Sequence, residues 1–453
     1  MKNINTLLEK LYSLKQSYMT KDLSKIKELC QFLYNPHLNY PIIHIAGTNG
    51  KGSVCSLLSS ILQESGYKVG LYTSPHILKF NERIKINGRC IKDNEITKIY
   101  SLIDALATDI SASFFDITTA IAFKHFSEKK VDVAIIETGL GGRLDSTNIV
   151  NPILSIITSI SFDHTDILGT ELRDIVKEKA GIIKKNVPAI IQDTNPHILE
   201  TLIDYANVIE APFFVNYNFP HLDFVGYKKN NIEHNYKMIY SIGNVEDITR
   251  FRTEEGFLFS ESHFENVSYT KRCCPLLGKQ QLNNIKLVAF ACFFVGLSGL
   301  RIKIGSIPKG IENVIKNTGY DYRIKNVSKT ERPIILDVAH NKDAINSLVS
   351  TLKDIYGTTK WNVIFGVMKD KDIEQILRQL KPICNKLILP ELDIERAARP
   401  DIIKTKAKQI GFKDIAIKEN VSAACDLIKL SESPSIICGT FHIMSDAVKS
   451  LNG

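Results

Sequence analysis

The sequence predicts an α/β fold built from mainly parallel sheets that are covered by helices. Short apolar segments typical of buried strands alternate with helical patterns along most of the 453 residues, and this alternation indicates strand-helix-strand units. The length exceeds what one hydrophobic core supports, which indicates two or three domains. The predicted strands are 42–46, 69–73, 131–137, 153–160, 187–192, 334–338, 362–367, 386–389 and 435–438.

The alternation of strands and helices breaks once, between about residues 220 and 272. This segment is polar and rich in Asn, Tyr and Glu, which favours an antiparallel hairpin region that decorates the first domain. Two helical stretches follow, and a second series of strands and helices starts after Gly319. We therefore expect residues 1–318 to form the first domain and residues 319–453 the second.

A glycine-rich turn, Gly47-Thr48-Asn49-Gly50-Lys51-Gly52-Ser53, joins the first predicted strand to an amphipathic helix. Backbone N–H groups converge at such a turn, and the helix dipole favours an anion there. Lys51 would add a mobile positive charge, so we interpret the turn as a phosphate-binding loop. Gly52 separates Lys51 from Ser53, which departs from the usual P-loop spacing. The alternative is an ordinary turn between strand and helix.

Two other predicted strands end in side chains that suit a metal ion. Strand 131–137 ends at Glu137, at the edge where open α/β sheets hold ligands, and a carboxylate beside phosphates suits Mg²⁺. Strand 153–160 leads to His164, whose neutral imidazole could bind a second metal. Alternatively, Glu137 pairs with Arg143, and His164 is an ordinary loop histidine.

The string HIAGTNGKGSV, residues 44–54, resembles the folylpolyglutamate synthase and dihydrofolate synthase family. This family lies within the Mur ligase superfamily of ATP-dependent acid-amino acid ligases. Further segments match in the family's order, so the resemblance runs from about residue 22 to the C-terminus. These segments are 73–76 with 80–84, 137–148, 161–165 with 178–182, and 336–341.

The resemblance implies the Mur ligase architecture, in which a P-loop-type ATPase domain with a mainly parallel sheet precedes a smaller Rossmann-like α/β domain. Residues 1–318 would be the ATP-binding domain of the central type, with an N-terminal pterin-binding segment. Residues 22–27 resemble that segment only loosely. Residues 319–453 would be the Rossmann-like glutamate-ligase domain.

The resemblance also implies a catalytic set and two Mg²⁺ sites. Ser74 and Glu137 would bind the first ion, and His164 would bind the second together with Lys179, if that lysine is carbamylated. Carbamylation requires a lysine neutral enough to react with carbon dioxide, which burial can supply. Lys51, Glu137, His164 and Lys179 are the expected catalytic residues.

ATP is expected to contact both domains. Residues 48–53 would hold its phosphates, and Asn283, in the family's Q-x-x-N helix start, would contact adenine. Arg323 and Asp337 would reach phosphate and ribose from the second domain. Asp321-Tyr322 stands where the family has Pro-Gly before this arginine.

The resemblance assigns the pterin to two segments and glutamate to one residue. Leu144-Asp145-Ser146 would bind the pteridine together with Phe115, as a stacking ring, and Asp116, as an acceptor for ring N–H groups. Alternatively, Phe115 and Asp116 are the core residue and cap of a helix start. His340 would help to hold the incoming glutamate, or it merely neighbours a helix N-cap.

These assignments predict ATP-dependent ligation of L-glutamate to dihydropteroate, to the γ-carboxylate of (tetrahydro)folyl-glutamates, or to both. The acceptor carboxylate would attack the γ-phosphate of ATP, and the glutamate amine would displace phosphate from the resulting acyl phosphate. The alternatives are a monofunctional folylpolyglutamate synthase, another Mur-type amino-acid ligase, or a non-catalytic nucleotide-binding module. The last would not need Glu137, His164 and Lys179 together.

Composition excludes some classes of partner. The net charge is +8, but the lysines are scattered rather than gathered into a stripe with aromatic residues, so no nucleic acid is expected. No uninterrupted apolar run is long enough to span a membrane, and the nine cysteines include no C-x-x-C pair. We expect a cytoplasmic monomer whose substrates are small molecules.

Overall fold

Two separate α/β sheets organise the chain, which confirms the predicted fold class. The computed structural model describes residues 4–14, 22–192, 195–216, 222–230, 235–242, 252–253, 256–257, 270–328 and 330–452. An eight-stranded sheet uses strands before residue 216, and a six-stranded sheet uses strands after residue 324. Within the described ranges, none of the helices has the length and apolar content that a membrane crossing requires.

The eight-stranded sheet has the order β4-β3-β2-β5-β1-β6-β7-β8 and is parallel from β2 to β8, while β3 and β4 pair antiparallel at one edge. Its strands are β1 Ile42–Ala46, β2 Val69–Tyr72, β3 Ile84–Ile86, β4 Arg89–Cys90, β5 Val133–Glu137, β6 Leu154–Ile157, β7 Ala189–Ile191 and β8 Phe213–Val215. The helices of this region are α1 Ile4–Ser13, α2 Ser24–Phe32, α3 Lys51–Glu64, α4 Asp93–Asp109, α5 Phe114–Glu128, α6 Thr165–Leu168, α7 Leu172–Ala180 and α8 Pro196–Val208.

The segment predicted as a hairpin region is antiparallel where the structure describes it. Strands β13, β10 and β9 form one three-stranded sheet in that order, and β11 pairs with β12. The remaining residues of the predicted segment lie outside the described ranges. The strands are β9 Leu222–Asn230, β10 Asn235–Ile242, β11 Arg252–Thr253, β12 Gly256–Phe257 and β13 Thr270–Cys274.

The six-stranded sheet has the order β14-β15-β19-β16-β17-β18, and only β14 is antiparallel to its neighbour. Its strands are β14 Lys325–Asn326, β15 Ile334–Leu336, β16 Trp361–Phe365, β17 Cys384–Pro390, β18 Ile415–Lys418 and β19 Ser435–Cys438. The remaining helices are α9 Gln280–Leu297, α10 Ser306–Glu312, α11 Val314–Thr318, α12 Lys342–Tyr356, α13 Ile373–Leu380, α14 Pro400–Ile410, α15 Val421–Lys429 and α16 His442–Asn452.

Strand β1 shows how the first sheet is held between its helices. All five of its residues are buried, and successive side chains point to opposite faces. Ile43 and Ile45 join the core beneath α3 and α9, while Ile42 joins the core beneath α4 and α5. Full burial of one such side chain contributes about 1.5–3 kcal/mol. Helices therefore cover both faces of the sheet, and the loops at the carboxyl ends of its strands remain available for function.

The carboxyl ends of β5, β1 and β6 meet at one edge, because these three strands are parallel neighbours. The loops that begin after Glu137, Ala46 and Ile157 therefore lie side by side. In the second sheet, β15, β19 and β16 are likewise parallel neighbours. The loops after these strands face the first set across a cavity of about 580 Å³.

Candidate active site

The glycine-rich turn forms a tight loop between β1 and α3. Gly47 and Gly50 have φ values of +151° and +91°, which other residues rarely adopt. A Cβ at Gly47 would lie 1.8 Å from Thr158 Oγ1, so glycine alone fits beside β6. The Thr48 N–H donates to Ser159 O at 2.7 Å, which fastens the loop to the end of the neighbouring strand.

Two lysines donate to the same carbonyl oxygen within this loop. Lys51 Nζ donates to Gly47 O at 3.1 Å, and Lys179 Nζ donates to the same oxygen at 2.9 Å. The side chain of Lys179 is buried at the end of α7. Burial, helped by the nearby charge of Lys51, lowers the pKa of Lys179 to about 7. A substantial fraction of Lys179 is therefore a neutral amine near neutral pH.

Glu137 is the last residue of β5, and its carboxylate is buried. Its Oε2 accepts a hydrogen bond from the Ser74 N–H at 3.2 Å. Burial raises its pKa to about 7, against the opposing effect of Lys51. Glu137 forms no salt bridge with a described residue, and Arg143 instead pairs with Glu178 at 2.6 Å. The alternative pairing of Glu137 with Arg143 is therefore wrong.

The loop after β6 carries Asp163 and His164 to the cavity. Burial lowers the pKa of His164 to about 4, so its imidazole is neutral at pH 7 and has a free lone pair to offer. Asp163 Oδ1 lies 2.5 Å from Lys371 Nζ, from the loop after β16. Burial alone would raise the pKa of Asp163, but the Lys371 ammonium lowers it well below its ordinary value.

The loop after β15 reaches back to the phosphate loop. Asn341 caps α12 by accepting from Ala344 N, and its amide donates to Asn49 Oδ1 at 3.0 Å. His340 Nε2 lies 3.8 Å from Asp163 Oδ2. Asp337 is buried and accepts the backbone N–H groups of the residues at 324 and 339, at 2.8 and 2.7 Å. Asp337 therefore shapes this loop as well as lining the cavity.

Arg323 lies close to two aromatic rings. Its guanidinium carbon is 5.4 Å from the ring centres of both Tyr320 and Phe441, a distance at which rings attract a cation. Its Nε donates to the Tyr320 hydroxyl at 2.9 Å. Its NH1 is buried and has no hydrogen-bond partner among the described residues. This group is a free donor at the cavity wall, suited to an anion.

The cavity brings together most of the residues singled out in the sequence. It is lined by residues 48–53 and by Ser74, Phe115, Glu137, His164, Lys179, Arg323, Asp337 and His340. It is also lined by residues that the motifs did not single out as site residues, namely Asp163, Asn284, Lys371, Arg396 and His442. Lys371 had a sequence signal, because the charged triplet 370–372 follows a predicted strand at the ligand-facing edge of its sheet.

Asn283 does not line the cavity, whereas its neighbour Asn284 does. Asn283 is exposed on the outer face of α9, since successive helix residues are turned by about 100°. Asn284 Oδ1 lies 2.7 Å from where a Cβ of Gly50 would be, and its Nδ2 donates to Gln281 Oε1 at 2.8 Å. The amide beside the phosphate loop is therefore that of Asn284.

The cavity is not lined by Asp116, Leu144, Asp145 or Ser146. Asp116 caps α5 together with Ser113 and accepts from Ser146 Oγ at 2.7 Å, so the capping alternative is observed. Asp145 Oδ2 accepts the N–H groups of residues 139 and 140, at 2.8 and 3.0 Å. Asp145 therefore fixes the turn at residues 139–141, which lines the cavity, and Phe115 alone of the predicted pterin-binding residues reaches the cavity itself.

Comparison with known protein families identifies the class of protein to which the chain belongs. Residues 45–292 match the Mur ligase middle domain, and residues 322–439 match the Mur ligase glutamate ligase domain. Across the whole chain, 31% of 447 aligned residues are identical to a dihydrofolate synthase/folylpolyglutamate synthase of Bacillus subtilis, covering 95% of this chain and 94% of that protein. The chain belongs to the dihydrofolate synthase/folylpolyglutamate synthase family of Mur ligases, as the sequence motifs predicted.

Solved structures of relatives have the same architecture. Escherichia coli FolC in complex with DHPP and ADP is 27% identical, with a TM-score of 0.79 over 99% of this chain and 97% of that chain. The Yersinia pestis bifunctional enzyme, complexed with AMPPNP and a Mn ion, is 26% identical, with a TM-score of 0.78 over 100% and 99% of the two chains. The arrangement of the two sheets is thus that of an enzyme family whose members bind nucleotides.

Proposed function

We propose that the chain is an ATP-dependent ligase that joins L-glutamate to dihydropteroate, to the γ-carboxylate of (tetrahydro)folyl-glutamates, or to both. One observation supports this most strongly: a single cavity holds the phosphate loop, the buried Glu137 and Lys179, and the guanidinium of Arg323, whose NH1 has no described partner. Lys51, Glu137 and Lys179 come from the first sheet, whereas Arg323 and His340 come from the second part of the chain. Phosphoryl transfer between two bound substrates requires groups of this kind, which position the phosphates and stabilise their charge.

The nucleotide is proposed to lie with its phosphates on residues 48–53. Helix α3 begins at Lys51 and directs its unpaired N–H groups into the cavity. The free NH1 of Arg323 would pair with a phosphate oxygen from the opposite side. Asn284, rather than Asn283, is the proposed adenine contact because it alone faces the cavity. The ADP and AMPPNP complexes of the relatives support nucleotide binding by this chain.

Two Mg²⁺ sites are proposed on the residues predicted for them. Ser74 and Glu137 fit the first, because Glu137 is a buried carboxylate without a described cationic partner. His164 and carbamylated Lys179 fit the second. In the described ranges, no three His, Cys, Asp or Glu side chains could hold an ion by themselves. This fits Mg²⁺, which takes few protein ligands and completes its shell with water and phosphate oxygens. The bound ions would neutralise charge on the transferring phosphoryl group.

Lys179 is proposed to be carbamylated. Its neutral amine would attack carbon dioxide, forming a carbamate and releasing one proton. The lowered pKa of about 7 makes the neutral amine available, and the product would exchange a hard-to-bury ammonium for an anion beside Lys51.

The chain's own residues would contribute mainly position and charge. Lys51, Arg323 and the loop N–H groups would stabilise negative charge as the acceptor carboxylate attacks the γ-phosphate. His340, beside Asp163, would help to hold the glutamate whose amine displaces phosphate. The contact between the two parts of the chain would exclude water and protect the acyl phosphate.

The pterin acceptor is proposed to bind in the same cavity. Phe115 lines it and would stack on the pterin, while Asp116 and the segment 144–146 would support that wall from behind.

We place the domain boundary between residues 318 and 319, where α11 ends and Gly319 turns with φ +63°. A cytoplasmic location is supported by the nine cysteines, all of which are unpaired, and a monomer is the proposed state.

The deciding experiment measures glutamate-dependent phosphate release from ATP and Mg²⁺, with 7,8-dihydropteroate and tetrahydrofolate as parallel acceptors and product masses checked. Turnover with both acceptors is expected of a bifunctional enzyme. Turnover with tetrahydrofolate alone would assign the chain to folylpolyglutamate synthase, and with dihydropteroate alone to dihydrofolate synthase. Turnover with neither acceptor, in protein that binds ATP, would overturn the proposed function.

A further inference from the structure

Tyr320 connects two parts of the cavity wall that are far apart in sequence, the phosphate loop and the segment that carries Arg323. Its hydroxyl lies 3.3 Å from Ser53 Oγ on the phosphate loop and accepts from Arg323 Nε at 2.9 Å. Its ring packs on Gly52, where a Cβ would lie only 3.0 Å from Tyr320 Cε2. Neither the glycine-rich motif nor the second-domain motifs include this residue.

The backbone of Tyr320 is held firmly where the first sheet's helices end. Its N–H donates to Thr318 Oγ1 at 3.2 Å, and Thr318 O accepts from Lys85 Nζ at 2.7 Å. Asn317 also binds Ser60 and Glu64 of α3, at 3.0 and 2.8 Å. The tyrosine is therefore fixed to the helix that starts at the phosphate loop, and its side chain is not a mobile surface group.

Arg323 depends on this anchor for its direction. The Tyr320 hydroxyl accepts the hydrogen bond of Nε, and the ring centres of Tyr320 and Phe441 each lie 5.4 Å from the guanidinium carbon. These contacts hold the group and leave NH1 buried without a described partner. A guanidinium held in this way loses little rotational freedom when an anion binds.

We propose that Tyr320 is a positioning residue for the nucleotide: it aims Arg323 at the phosphates and ties Arg323 to Ser53 and Gly52 of the phosphate loop. The proposal rests on the proposed ATP-dependent function and adds a residue to it. Tyr320 stands three residues before Arg323 in the chain, so one short segment carries both the anchoring tyrosine and the arginine that it orients.

The test is a double-mutant cycle on the full chain, with AMPPNP and Mg²⁺ binding measured by calorimetry. Tyr320→Phe keeps the ring on Gly52 and removes only the hydroxyl. We expect it to weaken AMPPNP binding about fivefold to tenfold, the usual effect of losing one hydrogen bond. Arg323→Gln should weaken binding at least as much. The double variant should bind no more weakly than Arg323→Gln alone, because Tyr320 acts through Arg323.

Two further measurements separate positioning from structural damage. Tyr322→Phe removes a nearby hydroxyl that has no part in these contacts, and it should bind AMPPNP like the wild type. Phe441→Leu removes the other ring and should also weaken binding, even if Tyr320→Phe proves hard to purify. In turnover assays, Tyr320→Phe should raise KM for ATP and leave KM for L-glutamate unchanged.

The outcomes distinguish this proposal from the function on which it rests. Wild-type binding by Tyr320→Phe, or losses that multiply in the double variant, would overturn the positioning role alone. Equal increases in KM for ATP and L-glutamate would also overturn it, since that result indicates general distortion. A wild-type chain that does not bind AMPPNP would overturn the proposed function, and the role of Tyr320 with it.

Discussion

Lys51 and Lys179 direct their ammonium nitrogens at one acceptor, the carbonyl oxygen of Gly47, at 3.1 and 2.9 Å. Burial disfavours the charged form of Lys179 most, and repulsion from the Lys51 charge adds to that cost. Together they lower the pKa of Lys179 to about 7. Lys179 therefore differs chemically from Lys177, the other lysine of α7, which is exposed.

Replacing Lys179 by Met should abolish ligation while leaving the fold intact. Met fills similar apolar volume but cannot form a carbamate, so we expect kcat to fall about 100-fold or more. Lys177→Met, on an exposed position of the same helix, is the control and should retain wild-type activity. Steady-state phosphate release measures both. Near-normal kcat in Lys179→Met would contradict the catalytic assignment. A native intact mass of the wild-type protein that lacks the added mass of carbon dioxide would contradict carbamylation.

Glu137 should make the metal-free protein less stable as pH rises. Its pKa is 4.5 in ordinary surroundings and about 7 here, so the folded state binds the proton more tightly than the unfolded state. The resulting stabilisation is complete below pH 4.5 and is lost as pH rises through 7, by about 3 kcal/mol. Glu137→Gln cannot titrate. Its free energy of unfolding relative to the wild type should therefore increase between pH 4.5 and 7.5.

The measurement is denaturant unfolding of both proteins in EDTA at several pH values. Adding Mg²⁺ and ATP should stabilise the wild type more than the Gln variant, because the cation favours the ionised carboxylate. A stability difference that stays constant across this pH range would show that Glu137 does not titrate as described.

The ion pair of Asp163 with Lys371 should couple the two parts of the chain. The side chains are 9% and 6% exposed and 208 residues apart in sequence. Removing one partner of a buried pair leaves an uncompensated charge, at a cost of about 3–5 kcal/mol. We expect Lys371→Met to be strongly destabilised and the double variant Asp163→Asn with Lys371→Met to recover part of the loss. Thermal unfolding measures this coupling, and strictly additive losses would argue against it.

Asn284 and Asn283 should differ in their effect on nucleotide binding. Asn284→Ala removes the amide beside Gly50, and we expect ADP binding to weaken about tenfold, the equivalent of one hydrogen bond. Asn283→Ala, at the exposed neighbouring position, is the matched control and should change the Kd less than twofold. Calorimetry with ADP checks both. The reverse order of effects would restore Asn283 as the adenine contact.

Much of this site was predictable because its residues stand at strand ends. Glu137 and the phosphate loop follow apolar runs that could only be buried strands, and parallel strands bring their carboxyl ends to one edge. The same reasoning placed His164 and His340 at ligand-facing edges, and the structure puts them on the cavity wall. Family membership was predictable from the ordered motifs and is confirmed by the comparisons.

Helix rotation and buried turns were harder to predict. Asn283 and Asn284 are adjacent in the motif, and only the packing of α9 decides which amide faces the phosphate loop. Asp116 and Asp145 match a family segment, but their acceptors are largely taken by the N–H groups of a helix start and a turn. A pattern of residue types does not reveal that local competition for hydrogen bonds.

The sequence by itself determined the fold class, the family and the position of the glycine-rich loop between β1 and α3, because hydrophobic periodicity and local motifs encode these directly. Only the tertiary structure decided which side chains meet across the cavity. Tyr320 and Ser53 are 267 residues apart, and Asp163 reaches Lys371 only because two sheets place their loops face to face. Such contacts depend on how two separately patterned units dock, and neither unit's own periodicity specifies that arrangement.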